Sequence, residues 1–245
     1  MKDLLSKSLA QIVTADHRYA TVFEKYRLDF CCKGKATLQQ ACDALDIDKE
    51  EILNELERSV VDGKPDFEPD KLTLTELADH IVTVHHAYVK NSLPQIISYA
   101  EKAKEKHGAQ YPALNKILQA LTALKEEVTL HMQKEEIVLF PRIKELEKFA
   151  THEHGLAKLS STYLQAPIIV IEHEHKHTAS LMTDIRILSG NYTPPPNACT
   201  TIKLLYSAMQ SFEADLHQHV HLENNILFEK AIELNKSLNE TIAAN

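Results

Sequence analysis

Apolar residues recur every three or four positions along four long stretches of the chain, which is the spacing of one face of an α-helix. Start signals accompany the pattern, because Thr73 and Glu76 form a capping box and Pro112 suits a first helical turn. The predicted helices cover approximately residues 73–106, 111–149, 166–188 and 194–235. Pro141 lies inside the second helix and predicts a kink. Long amphipathic helices with short connections predict an up-down four-helix bundle.

The preceding residues, 1–62, predict a small helical domain of three short helices. Thr37 and Gln40 form a capping box for a helix over 38–45, and Asp46 or Asp48 caps the last helix, which runs through Val60. Residues 63–72 are rich in proline and acidic residues and are typical of a linker. We therefore expect an all-α protein in which residues 73–245 form the bundle.

The predicted bundle contains one sequence motif twice, in segments 131–140 and 219–228. Each copy has a histidine, a glutamate four residues later, and Leu-Phe after that. Positions i and i+4 are neighbours on one face of a helix, so each copy aims an imidazole and a carboxylate at one point. The residues concerned are His131, Glu135, His219 and Glu223. Both pairs lie on the apolar stripes of their helices, and that of the second helix continues to Val138.

The other two helices offer several histidines each. In the third helix, His175 shares the stripe of Ile168, Ile171, Thr178, Met182 and Ile185, whereas His173 and His177 share a polar face. In the first helix the stripe favours His86, although His85 also has apolar neighbours. The same comparison favours His219 over His217 and His221. The inward histidines then lie at nearly equal intervals along the chain, as expected where antiparallel helices cross one level of a bundle.

Two buried carboxylates at this level need positive charge, because an unpaired buried charge is costly. No inward Lys or Arg is apparent near them, so a metal site is the economical interpretation. Four imidazoles and two carboxylates exceed the needs of one tetrahedral zinc ion. They suit two first-row ions bridged by the glutamates, and iron, manganese and zinc all remain compatible.

Composition agrees with a helical chain, since glycine is rare (5 of 245 residues), tryptophan is absent and 44% of residues are hydrophobic. The net charge of −8 makes nucleic acid and anionic membranes poor partners. We find no apolar stretch near the roughly 20 residues that span a bilayer, and no secretory signal. Four cysteines are too few for a disulfide framework. We expect a soluble, cytoplasmic protein, with a homodimer among the expected assemblies.

Several motifs resemble the RIC (repair of iron clusters) family of bacterial di-iron proteins, which join a short Cys-Cys domain to a hemerythrin-like domain. The matching segments are 28–35 with Cys31-Cys32, 131–136, 139–141, 194–196, 198–201 and 222–228. The resemblance covers nearly the full length. It implies a carboxylate-bridged centre of two iron ions, bridged by Glu135 and Glu223, with these ligands: His86, His131, Glu135, His175, His219 and Glu223. It thereby selects His86 over His85.

The resemblance also implies a function in the stress response. Family members are associated with repair of iron–sulfur clusters after oxidative or nitrosative damage. Oxygen-carrying hemerythrins usually have one further histidine, and its absence implies a more open, labile iron pair. We expect the protein to supply iron to damaged iron–sulfur proteins or a cluster scaffold. The alternatives are a nitric oxide reductase at the same site, or a hemerythrin-like sensor or carrier of oxygen or nitric oxide. Whether the protein is an enzyme stays open.

Other residues could assist. Glu127, one turn before His131, and Glu174, beside His175, are candidates for supporting the ligands or carrying protons. Cys31 and Cys32 stand near Lys33 and Lys35, whose charges would lower a thiol pKa, and are candidates for a redox, nitrosylation or metal-transfer role. We expect Cys42 and Cys199 to be ordinary buried thiols.

Overall fold

The computed structural model describes residues 2–60, 65, 67–151 and 162–244. These residues form α-helices with short 3₁₀ and π segments, and the described part contains no β-strand. The prediction of an all-α fold with a small N-terminal unit and a four-helix bundle is confirmed. The predicted boundary at residue 62 and part of the predicted linker lie outside the described residues.

The N-terminal unit has four α-helices instead of the three predicted. A 3₁₀ helix at Lys2–Ser6 precedes these helices: α1 Leu9–Ala15, α2 Tyr19–Tyr26, α3 Leu38–Leu45 and α4 Lys49–Ser59. The additional break lies between α1 and α2, at residues 16–18.

The capping predictions in this unit hold. Thr37 and Gln40 make both hydrogen bonds of a capping box at the start of α3. Asp48 is the cap of α4, since its side chain accepts hydrogen bonds from the amides of Glu50 and Glu51. Asp46 instead ends α3 in the left-handed conformation, with φ of 55°.

The bundle consists of four long helices, three of which contain a π segment. Their parts are α5 Leu74–His80, π Ile81–His86 and α6 Ala87–His107; α7 Ala113–Lys134, π Glu135–Leu139 and α8 Phe140–Thr151; α9 Thr162–Leu188; and α10 Thr200–Leu222, π Glu223–Leu227 and α11 Phe228–Ala244. α6 packs on α7 and α10, and α7 packs on α9. The predicted capping box at Thr73 is present. The fourth helix begins after the three prolines, with Cys199 as its N-cap, and not at Pro194 as predicted.

A π segment changes which residues face inward, because it adds a residue to the turn. Val138, placed on the inner stripe by α-helical spacing, is 40% exposed. Leu139 takes the inward place and is buried. The sequence prediction for Val138 is therefore wrong. Pro141, where the sequence predicts a kink, follows this π segment, so its missing N–H falls where the hydrogen bonding changes from π to α.

Two apolar clusters lie on either side of one polar level in the bundle. In the second helix, Val128 and Met132 belong to one cluster, Leu139 and Ile143 to the other, and Glu135 lies between them. In the third helix the order is reversed, as expected for antiparallel neighbours: Ile171, then His175, then Met182. The first of these clusters continues into the N-terminal unit.

The N-terminal unit packs against α10 through the loop that follows α2. The ring of Phe30, 1% exposed, meets His217 and His221 edge-on at centroid distances of 6.2 and 5.6 Å. His217 Nδ1 also donates a hydrogen bond to Glu24 Oε1 at 2.6 Å. Burial lowers the pKa of His221 to about 4, so this ring stays neutral, and it hydrogen-bonds Thr14 at 3.2 Å. The polar face predicted for His217 and His221 is thus covered by protein.

None of the described helices combines the length and apolar composition that crossing a membrane would need.

Replacing Phe30 with alanine should lower the free energy of unfolding by about 3–5 kcal/mol, because a fully buried phenylalanine would leave a cavity between the two units. Urea denaturation followed by circular dichroism measures this. The matched control is Ile187→Ala, since Ile187 is 68% exposed, and it should change stability by less than about 0.5 kcal/mol. Equal effects of the two substitutions would contradict this packing.

Candidate metal centre

Six buried side chains meet at the polar level between the two apolar clusters. His86, Glu135, His219 and Glu223 form one group of potential ligands, and His131, Glu135, His175 and Glu223 form a second. Within each group the donor atoms all lie within 4.8 Å of one another. Because Glu135 and Glu223 belong to both groups, the arrangement amounts to two adjacent cation sites that share two carboxylates. The structure thus brings together all six predicted ligands, while their binding of metal stays a prediction.

The imidazoles point at one another in pairs. His86 Nε2 lies 3.2 Å from His219 Nε2, and His131 Nε2 lies 3.0 Å from His175 Nε2. Two nitrogens that each bind one ion at about 2.1 Å, at right angles, lie about 3 Å apart. The spacing of each pair therefore fits a shared cation.

Hydrogen bonds on the outer side of three imidazoles fix the orientation of these rings. The bonds run from Nδ1 of His86 to Glu136 at 2.7 Å, of His131 to Glu174 at 3.0 Å, and of His175 to Asn224 at 2.9 Å. A carboxylate or amide oxygen only accepts, so Nδ1 carries the proton and, in a neutral ring, Nε2 presents its lone pair to the centre. Partners of this kind are typical of metal-bound histidines.

The two shared glutamates are fully buried, and only Oε1 of Glu223 takes part in a hydrogen bond, with His219 Nε2 at 2.9 Å. Three carboxylate oxygens have no hydrogen-bond partner of acceptable geometry among the described residues: both oxygens of Glu135 and Oε2 of Glu223. Their close neighbours are imidazole Nε2 atoms, as at 3.2 Å between His131 and Glu135. Orphaned carboxylate oxygens opposed to nitrogen lone pairs would repel one another, so the donor set fits positive charge at its centre.

Protons can supply that charge when no ion is bound. Burial lowers the pKa of His131, but the Glu135 and Glu223 carboxylates outweigh it and raise that pKa to about 9. Burial alone would raise the pKa of Glu223, but His219 and His175 outweigh burial and hold that pKa well below its usual range. The imidazoles and carboxylates are therefore complementary in charge. A divalent ion that binds here replaces protons on the rings.

The three π segments each contain one of the proposed ligands at an end. Ile81–His86 ends at His86, Glu135–Leu139 begins at Glu135, and Glu223–Leu227 begins at Glu223. Such segments often occur at functional sites, since the wider turn re-aims side chains. Helical periodicity in the sequence does not predict them, because each is a tertiary adjustment with no composition of its own.

His85 is also buried, although the sequence analysis set it against His86. Its Nδ1 bonds to Asp215 Oδ1 at 3.0 Å, and its ring stacks on His219 at a centroid distance of 5.6 Å. The π segment turns both adjacent histidines inward, one to the centre and one beside it. His173 and His177, expected to face solvent, are exposed.

Of the two acidic residues proposed to assist the site, the structure brings only Glu174 to it. Glu127 is exposed and lies 3.9 Å from His177, away from the ligands. Each helical residue turns the side chain by about 100°, so Glu127, which directly precedes the buried Val128, points away from the inner stripe. Glu136 and Asn224 were missed. Glu136 directly follows Glu135 and Asn224 directly follows Glu223, and this adjacency was the sequence feature that could have pointed to them.

Cys31 and Cys32 lie where the N-terminal unit meets the bundle. Cys31 is buried, Cys32 is half-buried, and their sulfurs are 3.8 Å apart. The hydrogen bond from the Cys31 thiol lowers the pKa of Cys32 and raises that of Cys31 well above its usual value. His217 and Lys176 of the bundle add charge that also lowers the pKa of Cys32. The largest favourable charges at this thiol thus come from the bundle, and not from Lys33 and Lys35 as expected.

The other two cysteines differ from each other. Cys42 is buried, as expected. Cys199 is not a buried thiol, because it is the half-exposed N-cap of α10, and the backbone N–H of Ile202 lowers its pKa.

Comparison with known proteins divides the chain in the same way. Residues 5–60 match a domain of unknown function (DUF542), and residues 77–231 match the hemerythrin HHE cation binding domain. An iron-sulfur cluster repair protein YtfE of Edwardsiella ictaluri is 35% identical over 228 residues, covering 92% of this chain and 96% of that protein. Proteins of the same name from Yersinia pestis (strain Pestoides F) and Yersinia pseudotuberculosis (serotype O:1b) are each 34% identical over 232 residues, covering 94% of this chain and 98% of theirs.

Substituting His175 with alanine should remove at least one of two expected ions, because one donor of the second group is lost. Metal analysis of the purified protein measures the content. The matched control is His173→Ala, two residues away on the exposed face, which should keep the wild-type content. Loss of metal from the control alone would overturn the assignment of the third helix.

Replacing Glu174 with alanine should weaken metal binding about 10–100-fold, as loss of an outer partner of a ligating histidine does. Competition with a coloured chelator gives the affinity. Glu127→Ala removes the same charge from the surface and should leave the affinity unchanged. A similar loss in both variants would mean that overall charge, and not the bond to His131, governs binding.

Proposed function

Because the chain belongs to the RIC (repair of iron clusters) family of hemerythrin-like proteins, we propose that it holds two iron ions at this centre and supplies iron for repair of iron–sulfur clusters. Damage to such clusters by oxidative or nitrosative stress creates the need for iron. The recipients we propose are damaged iron–sulfur proteins or the scaffold on which clusters are built.

The observation that carries this proposal is the pair of donor groups that share Glu135 and Glu223. Each group offers two imidazoles and two carboxylates, a nitrogen and oxygen set that suits iron. Four protein donors leave positions free on an ion that prefers six. An ion held in this way would keep coordination positions for an incoming ligand, which supports a role as cargo.

The side chains can also take over the charge when iron leaves. Without an ion, the carboxylates raise the pKa of His131 to about 9 despite burial, so this ring binds a proton at neutral pH. Glu223 and Glu135 also raise the pKa of His219 against its burial. Two buried carboxylates then remain neutralised by imidazolium, and the bundle keeps its core. Exchange of iron for protons therefore lets the protein release cargo without unfolding.

The protons have a short route from solvent. Glu174, whose side chain is 18% exposed, hydrogen-bonds His131, whose side chain is 8% exposed. Glu174 also pairs with Lys134 on the surface. The bond between Glu174 and His131 links the outer edge of the bundle to the second donor group. We infer that iron exchange proceeds on this side.

The test loads the protein with isotopically labelled ferrous iron under anaerobic conditions and mixes it with an apo cluster scaffold and sulfide. We expect labelled clusters to form on the scaffold even when a chelator removes free iron, because iron passes directly between the proteins. Visible absorption and mass spectrometry follow the transfer. His173→Ala should transfer like the wild type, while His175→Ala should transfer less iron in proportion to its lower content.

Iron that stays on the protein, resists chelators and never reaches the scaffold would contradict the proposal. The same reduced protein tests the alternative activities. Nitrous oxide formed from nitric oxide would favour a reductase, and reversible oxygen binding would favour a carrier or sensor.

A further inference from the structure

The loop between α2 and α3 gathers a second set of metal-binding groups outside the bundle centre. We propose that Asp29, Cys31 and Cys32 form a distinct site for one thiophilic divalent cation, bound by two thiolates and a carboxylate. One oxygen of Asp29 and the two sulfurs lie within 4.8 Å of one another.

The separation of the two sulfurs fits this assignment. Cys31 Sγ and Cys32 Sγ are 3.8 Å apart. Two thiolates that each bind a tetrahedral ion at about 2.3 Å lie about 3.8 Å from each other. Asp29 Oδ1, at 3.2 Å from Cys31 Sγ, is placed to be the third donor. Binding would release the thiol protons to solvent, since the thiolate is the ligand.

The loop is held in this shape before any ion binds. Asp29 Oδ1 accepts hydrogen bonds from the amides of Cys32 and Lys33 at 2.8 and 3.3 Å. Asn225 Nδ2 of the bundle donates to the Cys31 carbonyl at 3.0 Å. Gly34 lies so close that a Cβ there would meet the Phe30 carbonyl oxygen at 2.5 Å. A preformed chelate of this kind binds a cation without the cost of ordering a loop.

The turn hydrogen bonds by themselves would account for the position of Asp29, but they do not account for two adjacent sulfurs within 4.8 Å of its carboxylate. Cys32 is half-buried and borders a cavity of about 220 Å³, so a cation and a fourth ligand can reach it. Lys176, Asn224 and Phe228 line the same cavity.

The cavity also adjoins the bundle centre. Asn224 bonds to His175 Nδ1 at 2.9 Å, and the Phe228 ring stacks parallel to His175 at 6.4 Å. One layer of side chains therefore separates the two proposed sites. On the assumption that iron is the cargo of the bundle, which rests on the proposed function, ferrous iron is the physiological cation that would reach the cysteine pair.

The test titrates reduced, full-length protein with Cd²⁺ and follows the near-ultraviolet charge-transfer band of cadmium thiolate. Imidazole and carboxylate ligands give no such band, so Cd²⁺ bound at the bundle centre does not contribute to this absorption. We expect the band to saturate at the intensity of one thiolate-bound ion per protein, however much Cd²⁺ the bundle centre takes up, and Cys31→Ser or Cys32→Ser to abolish the two-thiolate band. Cys42→Ser and Cys199→Ser are the matched controls and should keep it. Asp29→Asn, whose side chain still accepts the two amide hydrogen bonds, should weaken the affinity at least about tenfold.

A second measurement does not depend on the variants folding. In the wild-type protein, Cd²⁺ should protect the half-buried Cys32 from an alkylating reagent and leave Cys199 reactive. Mass spectrometry locates the alkylated thiols. Absence of the band and of protection, with all thiols reduced, would overturn the site. An unchanged affinity in Asp29→Asn would overturn the three-donor assignment. His175→Ala should keep the band, so failure of the bundle centre and failure of this site are distinguishable.

Discussion

The structure depends on how two fully buried carboxylates are neutralised in the middle of a helical bundle. Glu135 and Glu223 lie between two apolar clusters, where an uncompensated charge would cost several kcal/mol. Four imidazoles surround them, and the contacts between nitrogen and carboxylate oxygen are as short as 2.9 Å. Protons on the rings, or cations between them, satisfy the same need. One set of side chains is therefore suited to either source of positive charge, which is the property that the proposed supply of iron requires.

The helices adapt locally to bring this about. Regular α-helical spacing brings His131 and Glu135 to one face, but a π segment then widens the turn and changes the face of the residues beyond it. The same happens at His86 and Glu223. The bundle thus keeps apolar stripes above and below the site while each ligand is aimed separately. The three π segments cost conformational free energy, and the interactions of the site with metal or protons offset that cost.

The N-terminal unit bears directly on this chemistry. It covers the face of α10 next to His219, and Asn224 and Asn225, which follow Glu223, contact its cysteine loop. Asn224 contacts both His175 and the carbonyl of Cys31, at 2.9 and 3.5 Å. A change in protonation or ligand binding at His175 or at the cysteine loop is therefore only one side chain, Asn224, away from the other. The core that joins the two units makes them one packed body in the described residues.

The sequence by itself determined the all-α class, the four long helices and five of the six residues at the centre, because helical periodicity is a local property that places i and i+4 on one face. For the sixth, periodicity only favoured His86, and the family resemblance selected it over His85. His175 was separated from His173 and His177 for the same reason, since an apolar stripe identifies the inner side of its helix. Only the tertiary structure decided the features that depend on neighbours. The π segments moved Val138 outward and His85 inward, and packing of the N-terminal unit covered His217 and His221. Glu136 and Asn224 became partners of the histidines only when separate helices met, since a hydrogen bond across 49 or 50 residues leaves no periodic trace in the chain.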